Sequence, residues 1–185
     1  MIIKIVGMSG CGKTTCGKEL ANRMFGAVFI DLDSFFVARD KLPTVTLSTG
    51  EIVKNYDTFE ALDINAFRTA VDLAHSTCGA VVVVGFAIPE EVLRADFCIN
   101  LRMGDSKNEV VRRSNAARRI TKPYTGTRAI LDERVVEEVT YKFYTEQLRK
   151  TDVNFSVSVY ERDYVRRSVT QICNDIIQCV TAQLT

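Results

Sequence analysis

Apolar runs of strand length alternate with segments of helical periodicity along the whole chain. The strongest run, residues 79–86 (GAVVVVGF), is apolar on both faces, as expected of a central strand in a parallel sheet. Residues 154–160 (NFSVSVY) alternate between apolar and polar positions, which predicts a half-covered strand near the edge of the sheet. The remaining strand predictions are residues 1–6, 27–33 and 95–103, and residues 44–53 are compatible with a small hairpin.

Helices are predicted between these strands, at residues 14–25, 61–76, 106–119, 131–150 and 162–184. Two of them have capping residues at their start, Asp63 and Ser106, whose side-chain oxygens suit an N-cap. The second helix has apolar positions at Leu62, Ala66, Val71 and Leu73, and the last has an apolar face formed by Val165, Val169, Ile172, Ile176 and Val180. The alternation predicts one α/β domain over residues 1–185, with a mostly parallel sheet.

A glycine-rich turn joins the first predicted strand to the first helix. The spacing Gly7-x-x-x-x-Gly12-Lys13-Thr14 matches the P-loop, in which glycines let backbone N–H groups surround a phosphate. We expect Lys13 to reach the β- and γ-phosphates of ATP and the Thr14 hydroxyl to ligate Mg²⁺. A tight turn with a solvated lysine is the alternative. The predicted nucleotide-binding residues are Gly7, Met8, Ser9, Gly10, Cys11, Gly12, Lys13, Thr14 and Thr15.

Composition narrows the classes of function. The 24 basic and 23 acidic residues nearly balance, which argues against nucleic acid or an anionic membrane as a partner. No apolar stretch approaches the ~20 residues that span a bilayer, and the start of the chain lacks a signal-peptide layout. The six cysteines have no metal-binding spacing, and His75 is the only histidine, which argues against histidine-based triads. These features predict a reduced, cytoplasmic protein.

Two carboxylates lie at the C-terminal end of the second predicted strand, where open α/β sheets bind ligands. Asp31 and Asp33 are two residues apart, so both face one side if the strand stays regular. One could accept a proton from a substrate hydroxyl while the other helps to hold Mg²⁺, or the pair is simply a polar strand end. Further along the chain, Asp57 is predicted either to cap a helix or to bind substrate hydroxyls, and Tyr56 to pack on a flat ring.

Residues 110–128 (VVRRSNAARRITKPYTGTR) concentrate basic side chains in a chain of balanced charge. Pro123 and Gly126 interrupt the helix inside this cluster, which predicts a mobile lid at approximately residues 112–128. Such a lid would neutralise charge on a transferring phosphoryl group and exclude water, whereas the alternative is a solvated basic helix. The basic residues are Arg112, Arg113, Arg118, Arg119, Lys122 and Arg128.

Together these motifs resemble the uridine kinase and nicotinamide riboside kinase group of P-loop nucleoside kinases, over nearly the whole chain. GMSGCGKTT is similar to that group's P-loop, DSFF to the segment after its second strand, and YDTFEALD to a segment of the riboside kinases. The resemblance implies a three-layer fold with a five-stranded, mostly parallel sheet and a small arginine-rich lid. It also implies ATP and Mg²⁺ as cofactors and phosphorylation of the 5′-hydroxyl of a riboside.

The resemblance also implies roles for individual residues. Asp33 would be the base that faces the ribose 5′-hydroxyl, and Asp57 would bind the 2′- and 3′-hydroxyls with Tyr56 beside it. The implied lid arginines are Arg113 and one of Arg118 or Arg119. The predicted catalytic residues are therefore Asp33, Lys13, Arg113, Arg118 and Arg119; the predicted substrate-binding residues are Asp33, Phe36, Tyr56 and Asp57; and the predicted metal ligands are Thr14 and Asp31.

One position departs from the family pattern. Val84 stands where the family has a strand-end glutamate, and Glu90 and Glu91 lie downstream, too far along a predicted helix to replace it. Asp31 is the candidate replacement. The Asp-x-Asp pair also resembles shikimate kinase, but that family's glycine-rich substrate segment is missing, so shikimate-type substrates and nucleoside monophosphates rank below ribosides. A further alternative is a nucleotide-binding protein that has lost transfer activity.

Overall fold

The computed structural model describes residues 1–123, 125–161 and 165–184. Its strands are β1 (Ile2–Gly7), β2 (Val28–Asp31), β3 (Thr44–Thr46), β4 (Ile52–Lys54), β5 (Val81–Gly85), β6 (Phe97–Arg102) and β7 (Phe155–Ser158). Five of them form one sheet in the order β2-β5-β1-β6-β7, and every neighbouring pair is parallel. β3 and β4 form a separate antiparallel hairpin. The parallel sheet confirms the predicted α/β fold class, with the predicted edge position for β7.

The helices are α1 (Lys13–Arg23), α2 (Ile64–Cys78), α3 (Lys107–Thr121), α4 (Thr127–Val135), α5 (Tyr141–Leu148) and α6 (Val169–Leu184). A π-helical turn, Val136–Thr140, joins α4 to α5 without interrupting the helical path. Asp63 caps α2 by accepting a hydrogen bond from the Ala66 N–H, and Ser106 caps α3 in the same way. In the described ranges, no helix is long and apolar enough to cross a membrane.

Helices cover both faces of the sheet, because its central strands are apolar on both sides. On one face, Ile5 and Val84 pack with Leu20 of α1 and Ile176 of α6. On the other face, β5 packs with Phe67 and Val71 of α2 and with the segment that follows β5. The result is the predicted three-layer arrangement, which leaves the carboxyl ends of the strands free for a site.

Several sequence-based details are corrected by the packing. β2 ends at Asp31, because residues Leu32–Phe35 turn into a 3₁₀ helix. The buried face of α2 consists of Phe67, Val71 and Ala74, whereas Leu73 is exposed. Val165 is exposed and precedes α6, and residues 162–164 of the predicted last helix lie outside the described residues.

A buried lysine lies within the apolar run of β1. Lys4 is fully buried and donates to the carbonyls of Ile88 and Leu93, and its Nζ lies 2.5 Å from Oε1 of Glu90. These bonds hold the chain that follows β5, which forms a turn instead of the helix expected around Glu90 and Glu91. Glu90 therefore forms an ion pair with Lys4 and does not take the place of the missing strand-end acid.

Candidate active site

The turn between β1 and α1 has the geometry of a phosphate-binding loop. Gly10 and Gly12 have φ angles of 82° and 101°, in the left-handed region that glycine tolerates. A Cβ on Gly10 would lie only 2.6 Å from the Cβ of Ala117, so this glycine also allows α3 to pack directly on the loop. The first N–H groups of α1 have no partner within the helix, as at any helix start, and can bind an anion.

Lys13 begins α1 beside the loop. Its Nζ donates to the Met8 carbonyl at 3.2 Å and lies 5.5 Å from the centre of the Phe86 ring. The ammonium group is thus held over the loop by one hydrogen bond and one aromatic ring, with two N–H donors left for a phosphate. The predicted side chain for the β- and γ-phosphates therefore lies beside the glycine turn.

Thr14 and Asp31, the two predicted metal ligands, are in contact. The Thr14 hydroxyl donates to Oδ2 of Asp31 at 3.1 Å, and Oδ1 of Asp31 accepts the N–H of Asp33 at 3.1 Å. Asp31 is also the strand partner of Val84, so both side chains point to the same face of the sheet. This register places a carboxylate one strand away from the position where the family glutamate is missing.

The expectation that Asp31 and Asp33 share one side of a regular strand is wrong, because β2 ends at Asp31. Asp33 instead lies in the 3₁₀ turn, and its carboxylate lines a cavity of about 400 Å³. The two acids are therefore separated: Asp31 faces Thr14, and Asp33 faces the cavity.

The cavity lies between the P-loop, the 3₁₀ turn after β2, the hairpin and the helical segment from α3 to α5. Asp57 lines it together with Asp33. The lining residues are Ser9, Leu32, Asp33, Phe36, Lys54, Tyr56, Asp57, Thr58, Phe59, Leu62, Phe86, Ala87, Arg118, Lys122, Val135 and Phe143. The residues predicted to bind substrate, Asp33, Phe36, Tyr56 and Asp57, are thus brought together in one place.

The two cavity acids have perturbed acidity. Burial raises the pKa of Asp57 above its ordinary value, while the hydrogen bond from Thr140 and the charge of Arg118 partly lower it. The protein around Asp33 also raises its pKa, opposed by the Lys13 ammonium, although part of the Asp33 side chain remains open to solvent. A carboxylate with a raised pKa binds a proton more strongly, which suits a group that accepts one from a hydroxyl.

Thr140 is a site residue that sequence reasoning missed. It lies at the end of the π-helical turn, is 1% exposed, and its hydroxyl donates to Oδ2 of Asp57 at 2.7 Å. Asp57 therefore does not cap a helix: Asp63 caps α2. π-helical turns are frequent at functional sites, and here the turn brings Thr140 into contact with Asp57, which lines the cavity.

Aromatic rings form much of the cavity wall. The Phe36 and Tyr56 rings meet edge to face at 5.3 Å, and Phe143 lies 5.4 Å from Phe59 and 6.3 Å from Phe86 between ring centres. Rings held in this way offer flat apolar surfaces beside the two acids. The cavity therefore combines surfaces for a planar group with polar groups for hydroxyls.

The three predicted lid arginines on α3 have different surroundings. Arg118 lines the cavity, pairs with Asp132 of α4 through both carboxylate oxygens, and donates to Oγ of Ser9 at 3.2 Å. Arg113 lies 4.0 Å from the centre of the Tyr160 ring and bonds to the Met103 carbonyl. In this conformation only Arg118 of the three lines the cavity.

Arg119 is the third of these arginines. It pairs with Glu133 and is 63% exposed on the far side of α3. The helix does break between α3 and α4, as Pro123 and Gly126 predicted, although Tyr124 within this connection lies outside the described residues.

Two basic residues near the loop and cavity, Lys54 and Arg166, were not predicted to lie there. Lys54 lines the cavity together with Lys122 of the predicted lid, and Arg166 donates to the Gly10 carbonyl at 3.2 Å. Among the described residues, no group of three or more His, Cys, Asp or Glu side chains is arranged to hold a metal ion. Thr14 and Asp31 alone would therefore supply a partial shell, as Mg²⁺ sites completed by phosphate and water require.

Comparison with known proteins addresses the fold. Neither a protein-family model nor a curated protein sequence matches the chain. Among solved structures it is similar to a gluconokinase from Sinorhizobium meliloti 1021, with 15% identity, a TM-score of 0.53, and coverage of 98% of this chain and 91% of that one. It is also similar to shikimate kinase from Acinetobacter baumannii in complex with shikimate, with 18% identity, a TM-score of 0.47, and coverage of 98% and 93%.

The gluconokinase similarity shows that the chain has the fold of a P-loop kinase. It gives no support to the uridine kinase and nicotinamide riboside kinase group in particular. The fold assignment made from the motifs is confirmed at this level, and the acceptor must be argued from the cavity itself.

Proposed function

We propose that this protein is an ATP-dependent kinase that phosphorylates a hydroxyl group of a small molecule, with a riboside as the acceptor. The observation that carries the proposal is that Asp33 and Asp57 line one cavity together with Ser9 of the P-loop. Lys13 acts electrostatically on both Asp33 and Asp57, so the phosphate side and the hydroxyl side of the site are adjacent.

The chain's own residues fit a nucleoside triphosphate with Mg²⁺. The glycine turn and the start of α1 would hold the phosphates, with Lys13 neutralising their charge. Thr14 and Asp31 would hold the metal ion. When bound, Mg²⁺-ATP supplies the phosphoryl group that is transferred.

The acids would act on the acceptor. Asp33 accepts the proton of the attacking hydroxyl, and Asp57, oriented by Thr140, accepts hydrogen bonds from neighbouring hydroxyls. Arg118 lines the cavity and donates to Ser9 of the P-loop. Its positive charge would stabilise the negative charge that develops during transfer.

The flat rings around the cavity favour a riboside, because a planar base packs well on Tyr56, Phe36 and Phe143. A kinase for a polyhydroxylated acid is the second candidate. It is favoured by the basic side chains of Lys54 and Lys122 in the cavity wall and agrees with the gluconokinase among the fold neighbours. Both candidates use Lys13 and Asp33 in the same roles.

A nucleotide-binding protein without transfer activity is the alternative from a different class, and Val84 is the residue that favours it. Val84 is fully buried and packs against α1, so it supplies no polar group to a metal. Asp33 argues against this alternative, because a protein that only binds nucleotide has no use for an acid that faces an acceptor cavity.

The test is ADP formation from Mg²⁺-ATP in the presence of ribosides, polyhydroxy acids and nucleoside monophosphates, each added separately. We expect turnover that depends on a riboside. Asp33→Asn should lower kcat by about 10²–10⁴-fold while ATP binding is kept, and Lys13→Ala should abolish transfer without unfolding the protein. Lys18→Ala and Asp72→Asn, which change exposed charges away from the cavity, are the matched controls.

Absence of acceptor-dependent ADP formation with every class would contradict the kinase proposal and favour the binding protein. Turnover with a polyhydroxy acid alone would support the kinase activity and contradict the riboside as its acceptor. Full activity in Lys13→Ala would remove the P-loop from the mechanism.

A further inference from the structure

Lys54 differs from the other basic residues of the cavity. It is the last residue of β4, is half-buried in the cavity wall, and donates one hydrogen bond from Nζ to the Leu42 carbonyl at 3.1 Å. Among the described residues, no carboxylate lies within ion-pair distance of Lys54. An ammonium group has three donors, so two remain for a ligand.

The other basic residues of the cavity wall already act on acids. Arg118 pairs with both carboxylate oxygens of Asp132, and the charge of Lys122 acts on Asp33. Lys54 differs from both, because its one hydrogen bond goes to a neutral carbonyl.

The hairpin that carries Lys54 is held in place. At its tip, the Ser48 N–H and hydroxyl donate to the two carboxylate oxygens of Glu138, at 2.8 Å and 2.6 Å. Glu138 belongs to the π-helical turn, so the hairpin is fixed to the helical side of the cavity. Lys54 is thus positioned before any ligand arrives, which reduces the entropy lost on binding.

We propose that Lys54 binds a carboxylate of the acceptor. The inference rests on the proposed kinase function and narrows its substrate class. With the aromatic walls beside it, the class that satisfies both features is a riboside whose planar ring carries a carboxylate. A polyhydroxy acid presents the same carboxylate without the ring.

The physical reason is the cost of burying a charge. A half-buried ammonium without a counter-ion loses hydration that one carbonyl replaces only in part. A carboxylate in the cavity restores that loss through a charge-assisted hydrogen bond, which a neutral carboxamide provides more weakly. Because a charge-assisted bond is roughly twice as strong as a neutral one, we expect a preference of about fivefold for the acid.

Acceptors that differ only in charge provide the test. One pair is nicotinic acid riboside and nicotinamide riboside, and the other is gluconate and gluconamide. We expect the wild type to have a kcat/KM about fivefold higher for the acidic member of the pair it uses. Lys54→Gln should remove this preference by raising KM for the acid, with KM for the neutral member unchanged.

Lys54→Arg keeps the positive charge and should retain the preference, and Lys41→Gln, an exposed lysine at the base of the same hairpin, should leave it intact. A wild-type preference for the neutral member would overturn the inference, as would equal losses for both members in Lys54→Gln. If no acceptor is phosphorylated, the kinase proposal fails by itself. Thermal stabilisation by the acidic compounds then tests Lys54 separately, and equal stabilisation of wild type and Lys54→Gln would overturn its role.

Discussion

The Thr140 hydroxyl donates a 2.7 Å hydrogen bond to Oδ2 of Asp57, 83 residues earlier in the chain. Thr140 and Glu138 belong to one π-helical turn, and Glu138 accepts two hydrogen bonds from Ser48 in the hairpin. This single turn therefore holds both the hairpin and the loop that carries Asp57. The position of the acceptor side of the cavity depends on it.

Thr140→Val should raise KM for the acceptor by about tenfold, because the variant keeps the shape of the side chain and loses a hydrogen bond to a charged group. KM for ATP should change little. Steady-state kinetics with each substrate varied separately would measure this. Thr140→Ser should recover most of the loss, and Thr145→Val, which removes a hydroxyl from the same helix without touching the cavity, is the control. Equal KM values in Thr140→Val and wild type would show that Asp57 is positioned without Thr140.

As the pH is lowered, activity should be lost at a higher pH than if the catalytic base were an ordinary aspartate. The reason is that burial raises the pKa of Asp33 and Asp57, and Asp33 must be ionised to accept a proton. The acid limb of kcat/KM against pH is the measurement. In Thr140→Val this limb should move further up if Asp57 must also be ionised, because the lost hydrogen bond lowered the pKa of Asp57. If the midpoint of the acid limb lies at the ordinary aspartate pKa, neither Asp33 nor Asp57 controls the rate.

The raised pKa of Asp57 predicts a gain in stability when this acid is neutralised. A folded-state pKa above the unfolded value makes a contribution to stability that is present at low pH and lost as pH rises through the raised value. Asp57→Asn should therefore have a higher Tm than wild type at pH 7, and the difference should disappear near the ordinary aspartate pKa of 3.8. Thermal unfolding at several pH values tests this, and a lower Tm for Asp57→Asn at pH 7 would show that its hydrogen bonds outweigh its desolvation.

Asp31→Asn should raise the Mg²⁺ concentration needed for half-maximal rate, and excess Mg²⁺ should partly restore the rate, because Asp31 bonds to Thr14 beside the missing strand-end acid. Metal titration of the initial rate measures the effect. An unchanged Mg²⁺ requirement would show that Asp31 does not replace the acid that is missing at Val84.

Val84→Glu should lower Tm strongly, because Val84 is fully buried and a Cβ on Gly17 would lie only 2.4 Å from its side chain.

Protease cleavage between residues 121 and 128 should slow when ATP and acceptor are both bound, if the connection between α3 and α4 closes with Arg118 over the site. Asp132→Asn should speed cleavage of the free protein, because it breaks the partly buried pair with Arg118. Glu133→Gln breaks the more exposed pair of Arg119 and should have little effect. Limited proteolysis with mass spectrometry provides the rates, and ligand-independent cleavage would indicate a fixed basic surface.

The sequence by itself determined the features that depend on neighbouring residues. Alternating apolar runs and helical periodicity specify strands and helices locally, so the parallel sheet, the caps at Asp63 and Ser106 and the edge strand β7 were predictable. The spacing from Gly7 to Thr14 specifies the loop for the same reason, because its conformation is set by glycines within a few residues.

Tertiary structure alone decided which side chains face the cavity. Arg113, Arg118 and Arg119 share one helix, and only the packing of Ala117 and Ser114 on the P-loop sets the rotation that turns Arg118 inward. The contact of Thr140 with Asp57 and the end of β2 at Asp31 likewise result from elements distant in the chain. Periodicity describes one element at a time, whereas rotation and register are settled when elements bury their apolar faces against each other.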